Sequence, residues 1–486
     1  MNIELGKRSD MLALTDRLTV PQVFFHDKHI GGADDTISFL ESWDTDNRYS
    51  SPKERYEKEI QSKSDSTDTR LKIPTEPPEV KPEPPPRSPH QGEHEFSLPN
   101  SDTQSYSKLY YTLTKILPNE SKPYRGQSYK HSFTGSEAVN AVMEHYSTSK
   151  DSAIRFLKNI QQSKMFDHVT KQHEIGDNEY FFKLQEYFQP RILNSIRVWT
   201  DRVDPDPNSL AIRLKKLLEK IESAATDENG NVDYLQAKED ENYYTFQEAT
   251  CELQKIDMFK MDQSTRLSFS INIYNLMIKH AFIQLGIPAS NLQRASFFGK
   301  VGYNVGGHKL AFNELENGVI RANKRTPYTY LKPFSNSDPR LPLALKVLDP
   351  RIHFALNCGA KSCPPIKSFS PRSIDEELRI VSLAFHESNE NTLVDEANHE
   401  LKVSKILYWY QSDFTPSTSS LPSAILNFLR GEKKEKLKRM ITSSKPIKVK
   451  FFDYDWTTNA SKMRTFTGRE LDSTKISVSA LSKIKV

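Results

Sequence analysis

Residues 74–89 read PTEPPEVKPEPPPRSP, and this run limits the fold more than any other feature of the chain. It has almost no aliphatic content, so nothing in it can offset the entropy lost on ordering the backbone, and a single hydrophobic core cannot pass through it. The polar composition begins near Ser50 and lasts to about Asn100. Residues 50–104 therefore read as a disordered, locally polyproline linker between folded parts. Within it Pro82, Pro85 and Arg87 form a PxxPxR pattern that fits an SH3-type groove, with the arginine against an acidic wall; the competing reading is a plain spacer.

Length and charge narrow the remaining functions. The 486 residues allow about three domains at roughly 150 residues each. Lys plus Arg total 67 against 63 Asp plus Glu, and a net +4 spread over that many charges makes no large single-sign field, which argues against a dedicated nucleic-acid partner. The three cysteines, Cys251, Cys358 and Cys363, are too few for a disulfide scaffold and suit a reducing interior. No apolar run approaches the ~20 residues of a membrane helix, and Glu4, Lys7, Arg8 and Asp10 interrupt any signal-peptide core. The expectation is a cytoplasmic protein that reaches a membrane, if at all, from its periphery.

Residues 1–45 are short for a domain. Leu18 to Asp35 read LTVPQVFFHDKHIGGADD: a Val-Pro step, an alternating strand through Val23 and Phe25, a turn at His26-Asp27, a second strand, and Gly31-Gly32 before a helix capped by Asp34 or Asp35. Glycines before a helix N-terminus let backbone amides approach an anion. The segment resembles the C-terminal half of the glutaredoxin family, and the resemblance implies a partial thioredoxin-like fragment. It also implies glutathione-holding positions at Thr19, Val20, Pro21, Gly31, Gly32, Asp34 and Asp35. Glutaredoxin chemistry needs a low-pKa cysteine at a helix N-terminus, and residues 1–45 contain none. The fragment is thus expected to be either a redox-silent remnant or part of a longer protein; only in the second case would glutathione be a cofactor and the chain a glutathione-linked oxidoreductase.

From 105 to 190 the pattern changes to helices. Thr134-Gly135-Ser136-Glu137 has the form of a capping box, with Ala138, Val139, Val142, Met143 and Tyr146 following at helical spacing. A second helix from about Asp151 buries Ala153, Phe156, Leu157 and Ile160. Met165, Phe166 and Val169 suggest a strand, Gly176-Asp177-Asn178 a turn, and EYFFKL the returning strand. Helices followed by a hairpin make a winged helix, and the segment resembles the DEP domain family in order and spacing, which implies recruitment to membranes or receptor tails. Lys122, Arg125, Lys130 and His131, ahead of the capped helix, are candidates to meet anionic headgroups at about 1 kcal/mol per charge; the alternative is a solvated loop. Glu137 and Glu144 on the candidate helix oppose DNA binding.

Residues 205–460 are expected to form a larger mixed α+β domain beyond a polar joint at Asp201 to Pro207, followed by a tail, 461–486. Met261 to Ile287 reads as one long apolar helix ended by Gly286 and Pro288, with Asn272 and Asn275 on one face; buried amides there should tie down a loop or line a polar pocket. Next come a strand pair turning at Gly306-Gly307, with His308 just beyond, and a helix with Asn313 and Glu316 as its capping box. Ile352 to Leu356 reads as a buried strand leading into Asn357-Cys358-Gly359-Ala360-Lys361-Ser362-Cys363-Pro364-Pro365. Asp453, Asp455 and Trp456 suggest an edge strand whose carboxylates anchor Arg351 or Arg340. Together INIYN, GGH, RIHFALNCGAKSCPPI, LYWYQSDF and FDYDWTTN resemble the family named domain of unknown function 547, a likeness that confers no reaction.

Three readings of Cys358 remain open. As a nucleophile it needs a base, first His308 and second His353, with Asn275 or Glu316 as orienter and amides near Gly359 around an oxyanion. As zinc ligands, Cys358 and Cys363 would have to recruit both histidines. As structural residues they need no further role. The expectation for the whole is an intracellular signalling adaptor, a multidomain α+β chain whose DEP-like part recruits a C-terminal domain of unknown activity. The alternative is a thiol-dependent hydrolase or transferase using Cys358, His308 and Asn275.

Overall fold

The computed structural model describes the strands Val23–Phe25 and Lys28–Gly31, and then residues 95–476 apart from 125, 126, 328, 330 and 473. The chain divides into two compact units, Met1–Arg87 and Ser88–Val486. In the first, the two strands pair antiparallel with Phe24 opposite His29 and Phe25 opposite Lys28. Thr19, Val20, Pro21, Gly32, Asp34 and Asp35 lie outside the described residues, as do Pro82, Pro85 and Arg87.

In the second unit a short strand pair, Phe96–Ser97 with Thr103–Gln104, leads into helix α1 (Tyr106–Ile116) and an antiparallel hairpin, Glu120–Tyr124 with Gln127–Thr134. Helices α2 (Gly135–Tyr146) and α3 (Lys150–Gln162) follow, then strands Phe166–His168 and Phe181–Leu184. The start of α2 is fixed by sequence chemistry: Thr134 Oγ1 accepts from the Glu137 backbone N–H at 3.1 Å, and the Glu137 carboxylate accepts from the Thr134 N–H at 2.6 Å. Both orphan donors are satisfied, so the helix begins there and buries Ala138, Val139 and Val142 in the core that also holds Ala153, Leu157, Phe166 and Phe182.

Helix α4 (Pro207–Ala224) starts at Asp206, whose carboxylate accepts from the Asn208 N–H, with proline at the first helical turn. Helix α5 (Glu241–Thr250) and the long helix α6 (Gln263–Leu285) come next. Buried residues such as Phe269, Ile273, Leu276, Met277 and Ile283 occur around most of the α6 circumference, the pattern of a helix enclosed by its neighbours. Gly286 ends it at φ 96, where a Cβ would stand 2.5 Å from the Arg464 carbonyl oxygen.

The two folded regions expected on either side of Asp201 to Pro207 share one core, a correction to the sequence reading. Residues from Leu98 through Phe466 belong to a single buried cluster. Tyr110 and Tyr111 of α1 meet Tyr244 of α5 with ring centroids 6.2 and 5.2 Å apart, and the Tyr106 hydroxyl donates to the Ile196 carbonyl at 2.8 Å. The described part of the presumed tail is also part of the body. Thr465–Phe466 pairs with Ile287–Pro288, and Thr474–Ile476 adds an antiparallel strand to Gln127–Thr134.

Other expectations change in detail. Phe297 and Phe298 lie in a helix, Asn291–Lys300, and the strand pair is Gly302–Val305 with His308–Ala311, turning at Gly306-Gly307 with φ 59 and 81. After it comes a π-helical turn, Glu314–Ile320, to which Asn313 gives no side-chain cap. Ile352 does not begin a strand: Asp349 accepts from the Arg351 N–H, Pro350 presets the helical φ, and Pro350–Phe354 closes as a 3-10 helix. A second core holds Phe354, Leu401, Val403 and Leu407 around a sheet whose edge strand is Lys448–Phe451, so Asp453 to Trp456 lie beyond it. Arg351 pairs with Asp349 and Asp375, and Arg340 with Asp338 and Glu314, rather than with those carboxylates. Among the described residues no helix is long and apolar enough to cross a membrane.

Two core histidines give the fold a pH dependence. His280 and His386 are fully buried, their Nδ1 atoms bonded to the Tyr303 and Thr392 hydroxyls, and burial pushes each down to about 3. A lowered folded value means that the unfolded chain binds protons first. Stability is full above the ordinary value of 6.5 and falls as pH drops from there toward about 3. One unit below 6.5, each is expected to cost about 1.4 kcal/mol, read as a drop in urea midpoint that shrinks in the His280→Gln or His386→Gln variant.

Candidate functional site

The cysteine loop is held by carboxamides. Asn275, buried on α6, donates to the Ala355 carbonyl at 2.9 Å and accepts from the Asn357 N–H at 2.9 Å. Asn357 accepts from the Gly359 N–H at 2.7 Å and donates to the Pro364 carbonyl at 2.7 Å, tying the two ends of the loop together. Asn272 clamps Phe369 in the same two-way manner, donating at 2.8 Å and accepting at 3.0 Å. Gly359 takes φ 87 beneath Phe282, whose Cζ would lie 2.3 Å from an added Cβ. This tight turn brings Cys358 Sγ and Cys363 Sγ to 2.8 Å, with both cysteines free thiols.

A third group covers the pair. Tyr454 Oη lies 3.0 Å from Cys363 Sγ and 3.4 Å from Cys358 Sγ, and its ring packs between Trp409 and Trp456 at 4.8 and 4.7 Å. The segment carrying it is pinned to the loop by the Lys361 N–H on the Thr457 carbonyl and the Asp455 N–H on Ser362 Oγ. The Cys358 N–H also donates to Cys363 Sγ at 3.1 Å. Burial works to raise the Cys363 thiol, but the hydrogen bonds from Cys358 and Tyr454 outweigh it and hold it below the ordinary thiol value. Cys358 is pushed well up, first by its bond to Cys363 and then by burial.

Cys363 opens on a cavity of about 530 Å³ between α4, α6 and the loop, lined also by Asn272, Asn275, Asn357, Lys361 and Lys367. On its α4 side the charges are spent internally: Lys279 pairs with Glu222 at 3.1 Å and Lys215 with Glu219 at 3.0 Å. Lys361 and Lys367 are exposed.

Behind the thiols runs a buried polar network. Glu316, in the π-helical turn, accepts from the Tyr274 hydroxyl at 3.0 Å and the Tyr410 hydroxyl at 2.7 Å. Asp413 accepts from Arg321 Nε at 2.7 Å and Nη2 at 2.9 Å, and from His353 Nε2 at 2.8 Å; His353 stacks on Tyr410 at 4.0 Å. Burial would raise the Asp413 carboxyl, yet the His353 and Arg321 hydrogen bonds hold it well below the usual carboxylate range. Burial likewise lowers His353, which acts as a neutral donor while Arg321 supplies the opposing charge.

The predicted site residues separate accordingly. Asn275 and the cysteine loop meet. His308, at the start of its strand, turns its ring edge-on to Phe259 at 5.2 Å and makes no contact with Cys358. His353 is committed to Asp413, and Glu316 to two tyrosines instead of a capping box. Among the described residues no group of three or more His, Cys, Asp or Glu side chains could hold a metal, so the zinc reading finds no ligand set there. Tyr454, Arg321 and Asp413 escaped the sequence reading; the aromatic run DYDW was the one local sign of the first. Of the candidate headgroup ligands, Lys122 is bound to Glu137 at 2.7 Å and Glu120 at 3.1 Å, Lys130 donates to the Arg469 carbonyl at 2.9 Å, and Arg125 lies outside the described residues. His131 stacks on Tyr187 at 4.1 Å.

Family models match two stretches of this shared body. The family model described as "Domain found in Dishevelled, Egl-10, and Pleckstrin (DEP)" matches residues 117–184, and that described as "Protein of unknown function, DUF547" matches residues 258–385. A stretch of 47 residues, 8% of the chain, is 47% identical to Glutaredoxin-C8 of Oryza sativa subsp. japonica and spans 35% of that relative's length. The chain thus joins a short glutaredoxin-like stretch, a DEP domain and a DUF547 domain.

Proposed function

We propose that the chain is an adaptor whose DEP domain, a winged helix, brings the DUF547 domain to an anionic membrane surface. The DEP match over residues 117–184 carries this reading, because such a domain suggests signalling or membrane recruitment. The basic hairpin before α2 is the contact surface. Lys122 is better left out of the test, since its loss would also strip the partner from Glu137 at the helix cap. The informative variant is Arg125→Glu with Lys130→Glu.

The unaltered chain is expected to sediment with phosphatidylserine vesicles in low salt and to be released as the Debye length shrinks from ~10 Å toward ~3 Å. The double variant should bind weaker by about 2 kcal/mol or more, roughly thirtyfold at the least. Equal sedimentation of both proteins would remove the membrane reading. Binding that ignores salt would point to a receptor tail instead. The hydrolase or transferase alternative draws less support, because the ring of His308, its first-choice base, packs edge-on to Phe259.

A further inference from the structure

We propose that Cys363 and Cys358 form a redox dithiol that reduces small, carboxylate-bearing disulfides entering the adjoining cavity, with Cys363 as the attacking sulfur and Cys358 as the resolving one. The geometry divides the roles. Cys363 lines the cavity, whereas Cys358 is absent from its wall, and a charge there would be felt by the buried Tyr274 and Tyr410. Two donors converge on Cys363 Sγ, the Cys358 N–H at 3.1 Å and Tyr454 Oη at 3.0 Å, and both stabilise a thiolate. The two sulfurs, 2.8 Å apart, need only a small approach to reach the ~2.05 Å of a disulfide. Cys251 has no part in this; it is buried and donates to the Gln247 carbonyl. The depressed Cys363 and elevated Cys358 thiols agree with the same order of attack.

The reaction balances with two partners. The Cys363 thiolate attacks one sulfur of R–S–S–R′; that bond breaks, R′S⁻ leaves and takes up a proton, and Cys363 is joined to RS in a mixed disulfide. Cys358 then gives its proton to water and attacks Cys363 Sγ, expelling RS⁻, which is protonated in turn. The substrate has gained two electrons and become two thiols, and the protein holds a Cys358–Cys363 disulfide. Two molecules of a small monothiol return it to the dithiol by the reverse exchange, becoming a disulfide themselves. The exposed Lys361 and Lys367 supply attraction for carboxylates.

The test uses the full chain and 5,5′-dithiobis(2-nitrobenzoate). The unaltered protein should release two thionitrobenzoate ions, retain no probe, lose two hydrogens by mass, and yield a Cys358–Cys363 cross-linked peptide. Cys358→Ser should release one ion and keep the adduct on Cys363. Cys363→Ser should react at least ~100-fold more slowly. Lys361→Glu with Lys367→Glu should slow this probe roughly tenfold but leave uncharged dithiodipyridine unaffected. An inert protein, two retained adducts, or an adduct on Cys358 in the Cys363→Ser chain at the unaltered rate would each overturn the proposal; equal slowing of both probes would overturn the carboxylate preference. If a variant fails to fold, the stoichiometry and cross-link of the unaltered protein decide.

Discussion

Asp413→Ala is expected to cost about 3–5 kcal/mol of unfolding free energy. The Asp413 side chain is enclosed, and the Arg321 guanidinium it holds at 2.7 and 2.9 Å is only 2% exposed. Deleting the carboxylate leaves a buried cation without a counter-charge and His353 without its acceptor. Because the folded carboxyl is held down, its contribution is full above the ordinary Asp range and is lost progressively as the pH falls from that range to the lowered value. The measurement is the urea midpoint near neutral pH. Lys324, at 44% exposure, shares Asp413 at 3.2 Å, and Lys324→Ala should stay within about 0.5 kcal/mol of the unaltered chain. A loss below ~1 kcal/mol for Asp413→Ala would mean that the pair is solvated and does not hold the domain.

Gly359→Ala is the second large effect, about 3 kcal/mol. A left-handed φ of 87 costs a side chain ~1–3 kcal/mol, and crowding a packed ring costs a similar amount, here with Phe282 Cζ 2.3 Å from the new atom. Gly307→Ala separates the two causes. Gly307 has φ 81 but nothing within 4 Å of its added carbon, so it should pay the backbone cost only. Equal midpoints for the two variants would remove the role assigned to the contact beneath the cysteine loop.

What the sequence revealed was local chemistry. The capping box at Thr134, the glycine end of α6 and the Gly306-Gly307 turn each depend on neighbours within a few residues, and all three stand in the structure. The strand expected at Ile352 failed because Asp349-Pro350 starts a helical turn, and that local rule overrode an apolar run. The Arg321–Asp413 pair spans 92 residues and the contact of Tyr454 with Cys358 spans 96, separations at which residue spacing carries no information. The shared core was hidden for another reason. YSKLYYTLTKI reads as an ordinary amphipathic helix, and nothing in it says that the surface it covers belongs to α5 across an apparent linker.

That α1 interlocks with α5, and that a late strand returns to the early hairpin, has a consequence for how such a chain would work at a bilayer. A domain on a tether samples every tilt, whereas one fused through its interior inherits the orientation of its mount. Were the hairpin to grip a surface, that surface would set the compass bearing of the thiol mouth, and so the side from which reactants could arrive.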